Sequence, residues 1–276
     1  MKKRKNLIIV LIELLMLLIV IFGYMRVYKL ETGKKKYSND AESFVNANKD
    51  PVFKIKQITL ISSANAVDNS GGSLKDIDIS QFTDISIDID NTGKSSDITA
   101  ENTINEMYIT NIKKSTMSDP QGKKLKFNYK NPYNNGKFID IDNYKNDGIL
   151  FKVFRNNSEY ENANFEQPAF YTDCSNPISL GYVNKNFLTG CEVNSDNGSI
   201  SFDGTILKSA GTDLKSIEPT LGFSINIVNN QNEKFVCNLD LKVDISSNAD
   251  EEIYTGYVVR VINTDDEKYN FLKISY

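Results

Sequence analysis

The stretch that decides the fold reads Asp84-Ile85-Ser86-Ile87-Asp88-Ile89-Asp90. Isoleucine recurs at every second residue with acids and a serine between, so an extended chain carries an apolar face and a polar face on opposite sides. On a helix of about 3.6 residues per turn the same isoleucines would be spread around the axis. The segment reads as a strand with one face buried.

Runs of the same kind flank it at 52–62, 74–80, 104–112, 124–129, 137–142 and 149–154. Between them stand turn-forming clusters at 68–72, 90–93, 131–136 and 146–148, rich in the Asn, Asp and Gly that tolerate tight backbone geometry. After a polar, Asn-rich stretch at 156–168 a second series follows at 178–183, 199–207, 220–228, 235–245, 253–262 and 269–275. Leu221, Phe223, Ile225 and Ile227 share one face, as do Phe235, Cys237, Leu239, Leu241, Val243 and Ile245, and residues 229–233 join these two runs as a hairpin. Short strands at roughly ten-residue spacing predict an all-β body of antiparallel sandwich type, Ig-like or jelly-roll-like. The expected division is two sandwiches, 51–158 and 159–276, with one larger sandwich as the alternative.

The chain starts differently. Leu7 to Gly23 is apolar except for Glu13, and with Tyr24 and Met25 the run spans about 19 residues. At about 1.5 Å per residue this covers roughly 28 Å, the thickness of a bilayer's hydrocarbon. The expectation is a transmembrane anchor over 7–25, behind a basic cytoplasmic leader at 1–6 and ahead of a polar stalk at 26–50, helical only in part. A cleaved signal peptide is the competing reading, but no small-residue cleavage pair follows the apolar run. Lys2, Lys3, Arg4 and Lys5 on one flank face Arg26, Lys29 and Lys34 to Lys36 on the other. Long domains cross a membrane largely regardless of such charges, and the short basic leader is that of a signal anchor, so the body is expected outside the cytoplasm. The chain is then a single-pass protein of the cell membrane, with the lipid bilayer as its first partner and other envelope proteins as further ones.

Glu13 is expensive inside that span, at roughly 2.5–3.5 kcal/mol if charged near the centre of a helix. It is either protonated or paired, and it is the candidate for an assembly contact within the membrane. Leu11-Ile12-Glu13-Leu14-Leu15 resembles the core of type IV pilin N-termini. The resemblance covers about a dozen residues, and it implies that Glu13 neutralises a neighbouring subunit's amine in a pilus-like or secretion assembly. It also implies a processed bond between Ile8 and Ile9, where pilins carry Gly and this chain carries Ile8.

Composition narrows the chemistry. There is no His among 276 residues, which removes Ser-His-Asp and Cys-His nucleophile systems and His-zinc centres. The net charge is −4, yet nine of 32 basic residues and only two acids precede residue 37, leaving 23 basic against 34 acidic groups beyond it. A body that acidic has no footprint for nucleic acid. Cys174, Cys191 and Cys237 form no zinc spacing; Cys191 with Cys237 is a candidate disulfide, Cys174 with Cys191 a second, and a small buried hydrophobe is the alternative for each.

Asn91-Thr92-Gly93-Lys94-Ser95 ends in GKS but lacks both the earlier glycine and the helix of a phosphate loop, so it reads as a β-turn. Asp76, Asp78, Asp84, Asp88 and Asp90 are candidate Ca²⁺ ligands, because carboxylates suit that ion and paired strands at 74–80 and 84–90 would set them face to face. The alternative is a solvated sheet face. Tyr129, Tyr133, Tyr144 and Tyr171 could stack on sugars in a carbohydrate-active enzyme, although aromatic residues in strands mostly pack in cores. The expectation is a non-catalytic protein that binds or scaffolds at a bacterial cell envelope, with a pilus-like subunit as the alternative.

Overall fold

A computed structural model of the chain describes residues 2–130, 138–140, 148–161, 167–193, 204–245 and 257–274. The chain forms two compact units, 1–49 and 50–276. The first is a single helix, α1 (Lys2–Ala47), of 46 residues. The expected stalk is therefore helical as far as Ala47. Its Lys, Glu and Ala content favours helix, and no proline intervenes before Pro51. The helix ends where the Asn48 side-chain amide donates to the Phe44 carbonyl at 2.9 Å, just ahead of that proline. Among the described residues no helix is long and apolar enough to cross a membrane. The side chains of 2–13, Glu13 and the first part of the expected span included, lie outside the described ones.

The second unit is built from β1 (Lys54–Asp68), β2 (Ile77–Asp90), β3 (Ile104–Ser115), β4 (Leu125–Lys130), β5 (Phe138–Asp140), β6 (Ile149–Phe154), β7 (Ala169–Tyr171), β8 (Ile178–Cys191), β9 (Thr220–Asn229), β10 (Lys234–Lys242), β11 (Tyr257–Ile262) and β12 (Leu272–Ile274). Two short helices, α2 (Asn157–Glu161) and α3 (Thr205–Ser209), interrupt the series. The strands make two six-stranded sheets, β11-β1-β2-β8-β4-β5 and β12-β10-β9-β3-β6-β7. Each sheet draws strands from both sides of residue 160. That interleaving rules out a domain boundary there, and one unit takes the place of the two expected sandwiches.

Three further expectations change. The runs 74–80 and 84–90 are not partners but one continuous strand, β2, because the polar Gln81 and Thr83 between them keep the phase and face inward. In the expected run 199–207, residues from Thr205 onward are helical, which buries the adjacent Ile206 and Leu207 together as no half-buried strand could. Lastly, β6 and β7 pair in parallel.

One apolar cluster holds both sheets, with Ile58, Ile85, Ile87, Leu180 and Phe127 from the first and Met107, Ile109, Phe223, Ile225 and Phe235 from the second. Ring contacts cross between them: Phe127 lies 5.9 Å from Phe223, and Phe53, just ahead of β1, lies 5.2 Å from Phe235. Among these apolar residues the Thr83 hydroxyl, 2.5 Å from Ser62 Oγ, donates to the Tyr182 hydroxyl at 2.8 Å, and burial holds that phenol protonated.

Replacing Ile87, fully buried in β2, by Ala should lower the unfolding free energy of the full chain in detergent by about 2–5 kcal/mol. Ser86→Ala, on the opposite face, should change it by about 0.5 kcal/mol or less. Urea titration followed by circular dichroism reads both values.

Candidate functional site

The outer face of the second sheet carries a groove of about 740 Å³ across β3, β9 and β10. It exists because β3 breaks its alternation. The register with β9 slips between Thr110 and Lys113, a bulge holding Asn111 and Ile112, and Asn111 takes a left-handed backbone with φ 56°, which asparagine tolerates better than other non-glycine residues. The bulge brings the Asn111 side chain over β9, where its Nδ2 donates to Ser224 Oγ at 3.2 Å. Ser224 in turn donates to Asn238 Oδ1 at 2.7 Å on β10.

This relay fixes which atoms remain for a ligand. Asn111 Nδ2 donating to Ser224 and Asn238 Oδ1 accepting from it set the orientation of both amides, so that among the described residues Asn111 Oδ1 is offered as an acceptor and Asn238 Nδ2 as a donor, two strands apart. The next row of the sheet sets Lys113, Gly222 and Asp240 side by side. Gly222 has no side chain, so the row is a trough with a cation on one wall and an anion on the other. A Cβ at Gly222 would meet nothing closer than 3.7 Å; the glycine keeps the trough open rather than relieving any backbone crowding. Such a surface fits an extended ligand rich in hydroxyl or amide groups, which offers donors and acceptors in alternation. Asp240 is the single carboxylate among the described residues that line the groove.

The sequence-predicted acids do not form a centre. Asp76 and Asp78 stand at one end of β2 and Asp88 and Asp90 at the other, some ten residues and therefore roughly 33 Å away at about 3.3 Å per residue. Asp84 lies between, opposite Ile61 on β1 and Gly181 on β8. The acids are engaged locally: Asp78 Oδ1 accepts from the Gly190 N–H at 3.2 Å, and Asp90 Oδ1 from the Thr92 N–H and hydroxyl at 2.8 and 2.6 Å. Partial burial raises the Asp90 pKa, but the Thr92 bonds and the charges of Lys54 and Lys56 outweigh it and hold the carboxyl below its ordinary value. Among the described residues no three Cys, Asp or Glu side chains gather as a metal site.

The GKS turn has a structural cause. A Cβ on Gly93 would stand 2.2 Å from the Pro51 carbonyl oxygen, and Lys94 pairs with Glu101 at 2.9 Å. Tyr129 is buried on β4 and Tyr171 packs with Phe154 and Tyr160, while Tyr133 and Tyr144 lie outside the described residues. The disulfide expectation is corrected as well. All three cysteines are free, with Cys191 on β8 of one sheet, its thiol donating to the Ile77 carbonyl at 3.1 Å, and Cys237 buried on β10 of the other. The groove was partly legible beforehand, in a glycine inside a strand at 222 and polar outward positions at 224, 226, 238 and 240. The bulge had no comparable signal.

The chain matches no protein-family model, no curated protein and no solved structure.

Burial pushes the Cys237 thiol up to about 12 and raises the Cys174 and Cys191 thiols as well, so the nucleophilic thiolate is scarce at neutral pH. Iodoacetamide applied to the folded protein near pH 8 should leave Cys237 and Cys174 unmodified, and should reach all three once denaturant is added. Peptide mass mapping without reductant, which would also expose a disulfide, reads the result.

Proposed function

We propose that the chain is an envelope-anchored binding protein: the N-terminal part of α1 sits in a lipid bilayer, and the sheet unit stands outside the cytoplasm and holds a hydroxyl- or amide-rich polymer in the groove over Gly222. The observation that carries the anchoring is the surface of α1. From Leu14 to Phe22 every side chain is large, apolar and exposed, between 43% and 68%, so the helix is apolar around its whole circumference. At about 1.5–3 kcal/mol for each such side chain left in water, the run needs an apolar surrounding, and a bilayer supplies it. Tyr24 and Tyr28, stacked at 6.4 Å and interspersed with Arg26 and Lys29, have the chemistry of residues placed at a headgroup boundary.

The two sheets are read as a single β-sandwich, a scaffold that commonly carries binding surfaces on its faces and loops. Binding is favoured over hydrolysis because glycoside cleavage uses two flanking carboxylates and the described lining of the groove has one.

Two measurements test this. The chain should stay with membranes through alkaline carbonate extraction, and a periplasmic-type reporter fused after Tyr276 should be active; a reporter active only in the cytoplasm removes the anchored reading. Gly222→Val fills the trough where a Cβ has room, so it should leave the melting temperature unchanged and weaken co-sedimentation with purified cell-wall polymer by about tenfold, or about 1.4 kcal/mol. Equal binding by both forms removes the groove from the proposal.

A second reading is favoured by helix length. At about 1.5 Å per residue α1 is roughly 69 Å long, more than twice what a bilayer crossing uses, and Tyr37, Phe44 and Val45 are exposed near its far end. Those features suit lateral helix packing in a pilus-like or secretion assembly, with Glu13 as its membrane contact. Glu13→Leu should then abolish co-purification of partner subunits; retention of the full complex rejects it.

A further inference from the structure

At the end of the β9–β10 hairpin the Glu233 carboxylate holds two nitrogens at once. Oε1 accepts from Lys273 Nζ of β12 at 2.5 Å, and Oε2 accepts from Asn229 Nδ2 at 3.0 Å. The Asn229 carboxamide is fully buried and fixed from every side. Its Oδ1 accepts from the backbone N–H of Gln231 at 3.0 Å and of Glu233 at 2.8 Å, while Nδ2 also donates to the Glu101 carbonyl at 2.8 Å. Such a site contains the parts that acyl transfer uses: an amine, a carbonyl polarised by two backbone donors, a leaving nitrogen, and one carboxylate in contact with both nitrogens.

We propose that Lys273 and Asn229 become joined by an intramolecular amide bond, with Glu233 carrying the protons. Glu233 takes a proton from the Lys273 ammonium, and the freed amine attacks Asn229 Cγ. The Cγ–Nδ2 bond breaks as Nζ–Cγ forms. Two protons leave Nζ in all and pass to the departing nitrogen, so ammonium is released and Glu233 ends as the carboxylate it began as. Nothing is oxidised or reduced, and no co-reactant is consumed.

Opposing the reaction, the hydrogen bonds and charge of Lys273 outweigh the burial of Glu233 and hold its carboxyl below the ordinary value, so the ion pair favours its charged form. The reaction has to occur only once in each molecule, however, and Glu233 holds both nitrogens within hydrogen-bond distance of one carboxylate. Its product would fasten the three-residue β12, which among the described strands pairs with β10 alone, to the hairpin. This inference does not depend on the groove or on the anchor.

Peptide mapping of the purified full chain tests it without any variant. Trypsin cuts after Lys215, Lys234 and Lys268, so a bonded molecule gives a branched peptide of 216–234 joined to an uncut 269–276, lighter by one ammonia than the two separate peptides. Glu233→Gln and Lys273→Arg should each give only unbranched fragments. Complete cleavage after Lys273 in the wild type overturns the proposal. An ammonia loss confined to 216–234 with Lys273 cleaved also overturns it, since that marks a succinimide at an asparagine.

Discussion

The inward row of β2 is the constraint on which the sheet unit depends. Ile77, Ile79, Gln81, Thr83, Ile85, Ile87 and Ile89 are all buried, and the residues between them are not. Because the side-chain period is two, a register slip of one residue would exchange the faces. It would drive Asp78, Asp84, Asp88 and Asp90 into the core, and an unpaired buried carboxylate costs several kcal/mol. The acids that suggest a calcium site thus have a physical role without any ion: they forbid the wrong register along the longest pairing in the structure, from Lys54–Asp90 to Asp68–Ile77.

The same row explains how far the sequence could be read. Where the inward residues are aliphatic, as in 84–90, 220–228 and 235–242, the strand and its buried face were legible from alternation alone. Gln81 and Thr83 divided one strand into two because a polar residue at an inward position looks like a boundary. Only the partner strands reveal their place, with Thr83 bonded to Tyr182 about one hundred residues away. The domain division failed for a related reason. Local patterning fixes which face of a strand is buried but not which strand it pairs with, and both sheets here mix early and late strands.

The groove was less legible than the core because it depends on a departure from regularity. One extra residue in β3, Asn111 and Ile112 standing against Phe223 alone, turns Asn111 toward Ser224, and a missing side chain at Gly222 opens the row beside it. Both are small perturbations of a face that otherwise reads as ordinary solvated sheet. Their effect is to expose hydrogen-bonding atoms in a fixed order on a rigid surface, where a ligand meets little loss of side-chain freedom.

Sheet edges are where such an architecture is exposed to unwanted pairing, and the fold treats its edges unequally. β5, β7 and β12 have three residues each, too few to template another strand well. β11 is longer and bears Tyr257, Val259 and Val261 on its exposed side, next to Ile61 of β1. Arg260 is the single charge within it. What opposes association of copies along that edge is then the charge of the whole body, 23 basic against 34 acidic groups beyond residue 36, spread over outer faces by the alternation that fills the core with isoleucine. The acids between the isoleucines therefore act at two distances, selecting the strand register within one molecule and holding neighbouring molecules apart.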